Sequence, residues 1–132
     1  MNKTLILVFP LLLIPSAVTV ESTTAYKVWE RQRGAKVSVV VTKYNAVKEQ
    51  TDDTPTITAS NKKIKKGMIA LSRDLEEELG LKFGDKIHLT GMGTFIFEDR
   101  MNKKWTRRVD IYEKSIEEAK KFGIKKTELI VE

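Results

Sequence analysis

Asp99 and Asp110 are the residues of this chain best placed to do chemistry. They lie eleven positions apart, each in or at the end of an apolar, strand-forming segment: residues 94–98 before the first and residues 108–112 around the second. Period-two alternation puts Asp99 on the face of Phe95 and Phe97. It puts Asp110 opposite Val109 and Ile111, on the face of Tyr112. A carboxylate beside aromatic rings loses hydration, so its pKa rises, and a second carboxylate nearby raises it further. A carboxylic acid that stays protonated is what cleavage of a glycosidic bond needs. The same residues also admit a purely structural role, with Asp99 paired to Arg100 or Arg108 and Asp110 capping a turn.

Other side chains suit a sugar. Thr42 and Tyr44 share one face of a strand, as the wall of a groove requires. Hydroxyls and an aromatic ring match the polar rim and apolar faces of a sugar; an ordinary amphipathic strand carries the same pattern. Trp105 lies in a basic loop, Asn102-Lys103-Lys104-Trp105-Thr106-Arg107-Arg108. It can stack on a sugar, on a nucleobase with the flanking charges on phosphates, or on its own domain. His88 alternates with Ile87 and Leu89, so it faces solvent, and as the one histidine it has no partner for a triad. Gly91-Met92-Gly93 lacks the spacing of a phosphate loop. The lysines of residues 62–66 and 120–126 read as solvated faces.

The elements that must hold these residues are short. Residues 36–44 form the clearest strand, with Val37, Val39 and Val41 on one face and Val40, Thr42 and Tyr44 on the other. Residues 45–55 form a polar loop, and residues 56–59 are short and β-prone. Residues 68–71 are an apolar strand. Ser72 can cap a helix running to Leu79, with Asp74 and Glu76 favoured in its first turn and Gly80 as its stop. Strands follow over 86–90, 94–98 and 108–112. Ser115-Ile116-Glu117-Glu118 is a capping box for a helix ending at Gly123, and residues 127–131 close the chain as a strand. Many short strands in one small domain suggest a closed barrel.

Bulk properties narrow the setting. The 132 residues suffice for one domain. With no cysteine and one histidine, a disulfide or thiolate metal site is impossible and a zinc site would need carboxylates, so no metal and no cofactor is expected. Residues 1–25 read as a signal peptide: a positive start at Lys3, an apolar run over residues 5–15, then small and polar residues. That run is too short for a bilayer, which needs roughly 20 residues, so the mature form has no membrane span. Cleavage is expected after Ala17-Val18-Thr19 or Thr23-Thr24-Ala25. Residues 26–35 read as a linker or ragged first strand, and residues 36–132 as the domain. Without residues 1–25 the charge stays at +6, which suits an anionic matrix.

A series of short motifs carries a resemblance. In order they are Thr42-Lys43-Tyr44, Thr54-Pro55-Thr56-Ile57-Thr58-Ala59-Ser60, Gly67-Met68-Ile69-Ala70-Leu71-Ser72, Phe83-Gly84-Asp85, Asp99-Arg100-Met101-Asn102 and Val109-Asp110-Ile111-Tyr112. The series resembles the three-aspartate (3D) domain of bacterial cell-wall proteins, related to the barrel of membrane-bound lytic transglycosylases. The resemblance implies a mainly β fold: a small six-stranded double-psi β-barrel with two short helices. It implies an exported protein, periplasmic or associated with the cell wall, that cleaves peptidoglycan glycan strands without hydrolysis. Asp110 would be the acid/base and Asp99 its orienting partner, with Thr42, Tyr44 and Thr58 lining the substrate groove; Trp105, from its place in the basic loop, is a further substrate-binding candidate. A monomer is expected. The family's first aspartate falls where this chain has Ser72, and Asn61 stands where the family usually has Gly. Asparagine tolerates the left-handed geometry of that turn, and Ser72 in place of the aspartate keeps a non-catalytic wall-binding module as the alternative. A basic nucleic-acid-binding barrel is a second alternative, which the export signal disfavours.

Overall fold

The structure, a computed structural model, describes residues 31–46 and 56–132. The expected signal peptide, residues 26–30 and most of the 45–55 loop lie outside the described residues.

The fold is a mainly β, closed six-stranded barrel with two short helices. Its elements are β1 (Lys36–Tyr44), β2 (Met68–Leu71), α1 (Arg73–Glu78), β3 (Lys86–Leu89), β4 (Gly93–Arg100), β5 (Arg108–Tyr112), α2 (Ile116–Phe122) and β6 (Lys125–Val131). Around the barrel the order is β1-β5-β2-β4-β3-β6. Two pairs are parallel, β1 with β5 and β2 with β4; the others are antiparallel. Closure leaves no unpaired edge.

The β-branched alternation of β1 works as the sequence implies. Val39 and Val41 point inward with Ile69, Leu71, Phe97, Val109 and Leu129 to form the core, while Leu75 and Leu79 from the α1 segment join the same cluster. Removing such apolar surface from water stabilises the domain by roughly 25 cal/mol per Å². Residues before β1 are tied to this body: the Gly34 N–H donates to the Val131 carbonyl at 2.7 Å, and Arg31 pairs with Asp85. No helix among the described residues is long and apolar enough to cross a membrane.

Local chemistry ends the helices where expected. At α2 the Ser115 hydroxyl accepts from the Glu118 N–H at 3.2 Å, and Gly123 follows at φ 68°. After α1, Gly80 adopts φ 61° and the Leu81 N–H reaches back to the Glu76 carbonyl at 3.0 Å, a glycine-dependent stop. Ser72 differs from expectation. It occupies the N-cap position of α1 but makes no side-chain cap bond there; its hydroxyl accepts from the Arg108 N–H at 3.0 Å. The helix start yields its cap to the β2–β5 seam.

Candidate active site

The second face of β1 and β5 carries the site. Thr42 stands opposite Asp110, and Tyr44 opposite Tyr112, in the parallel β1–β5 pair. On the other side of β5, Ala70 of β2 stands opposite Asp110. Ala70 is also the register partner of Asp99 on β4. The two carboxylates therefore flank one small residue, one strand away on either side. Their backbones stand about 10 Å apart, two inter-strand spacings. A floor of Tyr44, Met68, Ala70, Ile64 and Met101 forms an apolar cluster separate from the barrel core, with Tyr112 packed against it.

A bulge puts Asp99 there. The β2–β4 register runs Ile69 with Phe97, then Ala70 with Asp99, so Glu98 is the extra residue. The sequence reading placed Asp99 on the face of Phe95 and Phe97, and the bulge corrects this. Regular alternation would have sent Asp99 inward beside Phe97; one extra residue sends it to the face of Ala70 and Asp110. Glu98 is buried instead, with its Oε1 held by Lys62 Nζ at 2.9 Å.

Asp99 is tightly placed. Its Oδ1 accepts from the Ala59 N–H at 2.9 Å and from the Arg100 N–H at 2.9 Å, and its Oδ2 accepts from the Tyr44 hydroxyl at 3.3 Å. The Arg100 guanidinium turns away to a two-pronged bond with Glu76, at 2.7 Å for each contact. Asp110 is half-buried and accepts from the Thr42 hydroxyl at 2.9 Å. Burial pushes its carboxyl above the ordinary range; the Thr42 bond and the charge of Arg108 pull it partly back, and Asp99 pushes it up again. The Tyr44 phenol is pushed far above its usual value, first by burial and then by the charges of Asp99 and Asp110. The ring of Tyr44 meets that of Tyr112 edge-on, with centroids 5.9 Å apart.

The remaining sequence candidates divide. Thr42 and Tyr44 touch the carboxylates directly. Thr58 does not. It is buried, and its hydroxyl is taken up by Ser60 at 2.8 Å and the Lys62 carbonyl at 3.1 Å. It shapes the turn that presents the Ala59 N–H to Asp99. Asn61 lets that turn close, at φ 63°, the left-handed conformation that asparagine tolerates. Trp105 is partly exposed and stacks over the Arg108 guanidinium, 4.2 Å from ring centroid to Cζ. Its neighbour is a side chain of its own domain. His88 is part-exposed, with Nδ1 3.1 Å from the Thr94 hydroxyl.

Sequence reasoning missed the part of Arg108 in this face. The signal was present, because Arg108 lies two residues before Asp110 in one strand and so shares its side. An open concavity of about 570 Å³ lies elsewhere, along Ser38, Val40, Lys126 and Glu128, and contains neither aspartate. Comparison with protein-family models and with curated protein sequences finds no match to this chain.

Proposed function

We propose that this protein is exported and acts on bacterial peptidoglycan, cleaving glycan strands as a lytic transglycosylase does. One observation carries the reading. Asp110 sits half-buried on an apolar floor, its carboxyl held toward the protonated form, with a second carboxylate fixed beside it by three hydrogen bonds. A protonated Asp110 would give its proton to the glycosidic oxygen as the bond from that oxygen to the sugar's anomeric carbon breaks. The resulting carboxylate would take a proton from a hydroxyl of the same sugar, whose oxygen bonds to the anomeric carbon and closes an anhydro ring. No water is consumed, and Asp110 ends protonated as it began. Asp99 would raise the proton affinity of Asp110 without moving a proton itself. The closed barrel with two parallel pairs is consistent with the three-aspartate domain that the motifs resemble. Export rests on the pattern of residues 1–25.

A second reading, a wall-binding module without turnover, is favoured by Ser72. The position where the family's first aspartate falls is fully buried, and its hydroxyl accepts from the Arg108 N–H. Digestion of purified sacculi decides between the two. Release of anhydro-muropeptides by the wild type, lost in Asp110→Asn, supports the enzyme. Retention on sacculi with no soluble product from mildly acidic to neutral pH supports the module.

A further inference from the structure

Arg108 is fixed in place on the strand of Asp110, the carboxyl on which its charge acts. Its backbone N–H donates to the Ser72 hydroxyl and its carbonyl accepts from the Ser72 N–H, both at 3.0 Å. Its side chain lies against the Trp105 ring at 4.2 Å. Yet Nε is buried without a hydrogen-bond partner, and among the described residues no salt bridge engages the guanidinium. The neighbouring arginines are committed. Arg100 holds Glu76, Arg107 holds Glu78, and Arg73 donates to the Met101 carbonyl. A guanidinium oriented by a stacked ring, and engaged by no salt bridge among the described residues, can take a planar anion through its Nη groups.

We infer that Arg108 is a substrate-reading residue, whose guanidinium takes a carboxylate carried by the glycan next to the glycosidic oxygen that Asp110 protonates. The inference rests on the reading of this face as a glycan site. The placement fits, because two residues along a strand put Arg108 about 7 Å from Asp110, on the same side. Peptidoglycan offers carboxylates at two places within that reach of a sugar: the lactyl group of the muramic residue, when no peptide is attached, and the stem peptide. The Trp105 ring behind Arg108 is exposed enough to meet the same sugar.

The pairing would also couple binding to the acid. The groups facing Asp110 are Thr42 and Tyr44 from β1, Arg108 and Tyr112 from β5, and Asp99 from β4, beside uncharged Ala70 on β2. Arg108 is the cation among them that holds the Asp110 carboxyl down. A carboxylate laid on Arg108 cancels that charge, so Asp110 keeps its proton more firmly with substrate in place. The acid would be armed by the ligand it is to protonate.

Calorimetric titration of the full chain with three glycan preparations tests this. One is strands stripped of peptide, with free lactyl carboxylates. One is strands with stem peptides retained. The third is stripped strands whose carboxylates have been converted to neutral methylamides. Wild type should bind at least one charged form about tenfold more tightly than the neutral form, the worth of a charge-assisted pair. Whichever charged form is preferred identifies the carboxylate. Arg108→Gln should bring charged and neutral forms within about twofold of each other, at the neutral form's wild-type affinity, and Arg108→Lys should recover part of the preference. Equal wild-type affinity for charged and neutral strands overturns the inference with no variant needed and leaves the glycan reading standing. A preference that survives Arg108→Gln also overturns it. Binding to none of the three overturns both.

Discussion

The Tyr44 hydroxyl donates to Asp99 across two intervening strands. Tyr44 is on β1 and Asp99 on β4, with β5 and β2 between them, and the contact is 3.3 Å. That is long for a hydroxyl donor, and two backbone N–H groups at 2.9 Å hold Asp99 in any case. Tyr44→Phe should therefore cost less than about 1 kcal/mol near neutral pH. At high pH the sign reverses. The folded phenol is raised by burial and then by both aspartates, so its contribution is whole below the unfolded value of about 10 and is lost as pH climbs above it. Tyr44→Phe has no such group to lose. Its alkaline unfolding midpoint, followed by circular dichroism, should lie above that of wild type. Equal midpoints would show that the phenol is not buried against the carboxylates.

Asp110 gives the same sign at the acid end. Its raised carboxyl favours the fold fully below about 3.9, the usual aspartate value, and that contribution fades as pH rises through the folded value. Asp110→Asn keeps an oxygen for the Thr42 hydroxyl and cannot ionise. Relative to wild type it should gain stability steadily from about pH 4 toward neutrality, while release of anhydro-muropeptides disappears and sacculus retention persists. Asp99→Asn should leave measurable turnover and move the ionisation of Asp110 in the pH–rate profile to lower pH, because one cause of the rise is gone. An unmoved profile would mean that the two carboxylates do not sense each other.

Most of the scaffold was legible in the sequence, and the site only in part. β1 and β5 follow directly from alternation, β2 from its run of four apolar residues, and the stops at Gly80 and Gly123 from the need for positive φ. Alternation also put Thr42, Tyr44 and Asp110 on their faces. It failed at Asp99 because a bulge leaves no mark in the run Phe95-Ile96-Phe97-Glu98-Asp99; the extra residue shows only against its partner strand. The reading of Ser72 as a helix cap failed for a different reason: its hydroxyl accepts from the Arg108 N–H of the neighbouring strand. The stack of Trp105 on Arg108 joins a residue of an irregular loop to the first residue of β5, three positions on, where no period applies.

The bulge makes a separate prediction. Glu98 is 1% exposed, and its partner Lys62 is mostly in solvent. Lys62→Met would leave a buried carboxylate unpaired, which should cost about 1–3 kcal/mol in urea unfolding. Glu98→Gln removes the charge along with the pair and should cost less. Turn 58–62 is sewn to the bulge by the Ser60 N–H on the Glu98 carbonyl, so Lys62→Met should also loosen Asp99 and lower turnover. The reverse order of the two stabilities would show that the ion pair does not anchor the bulge.

An aspartate at position 72, where the resembled domain carries its first, should do harm. Ser72 is fully buried. Asp74, two residues on, is pushed up by burial, but hydrogen bonds from the Ser72 hydroxyl and the Arg107 N–H outweigh this and hold it below its ordinary value. That lowered carboxyl stabilises the fold above the unfolded aspartate value and loses its effect as pH falls through the folded one. Ser72→Asp removes the donor and sets a second negative charge beside the first. Stability at neutral pH should drop by about 1–3 kcal/mol, the range for a buried polar group stripped of its partner, and the acid dependence due to Asp74 should flatten. Ser72→Asn retains an acceptor for the Arg108 N–H and an N–H for Asp74, so it should fall between the aspartate variant and wild type in a urea titration. Anhydro-muropeptide release should not increase in Ser72→Asp, since the side chain is walled off behind the β2–β5 seam. A variant that is as stable as wild type and releases more product would place residue 72 in the groove and overturn this account of the seam.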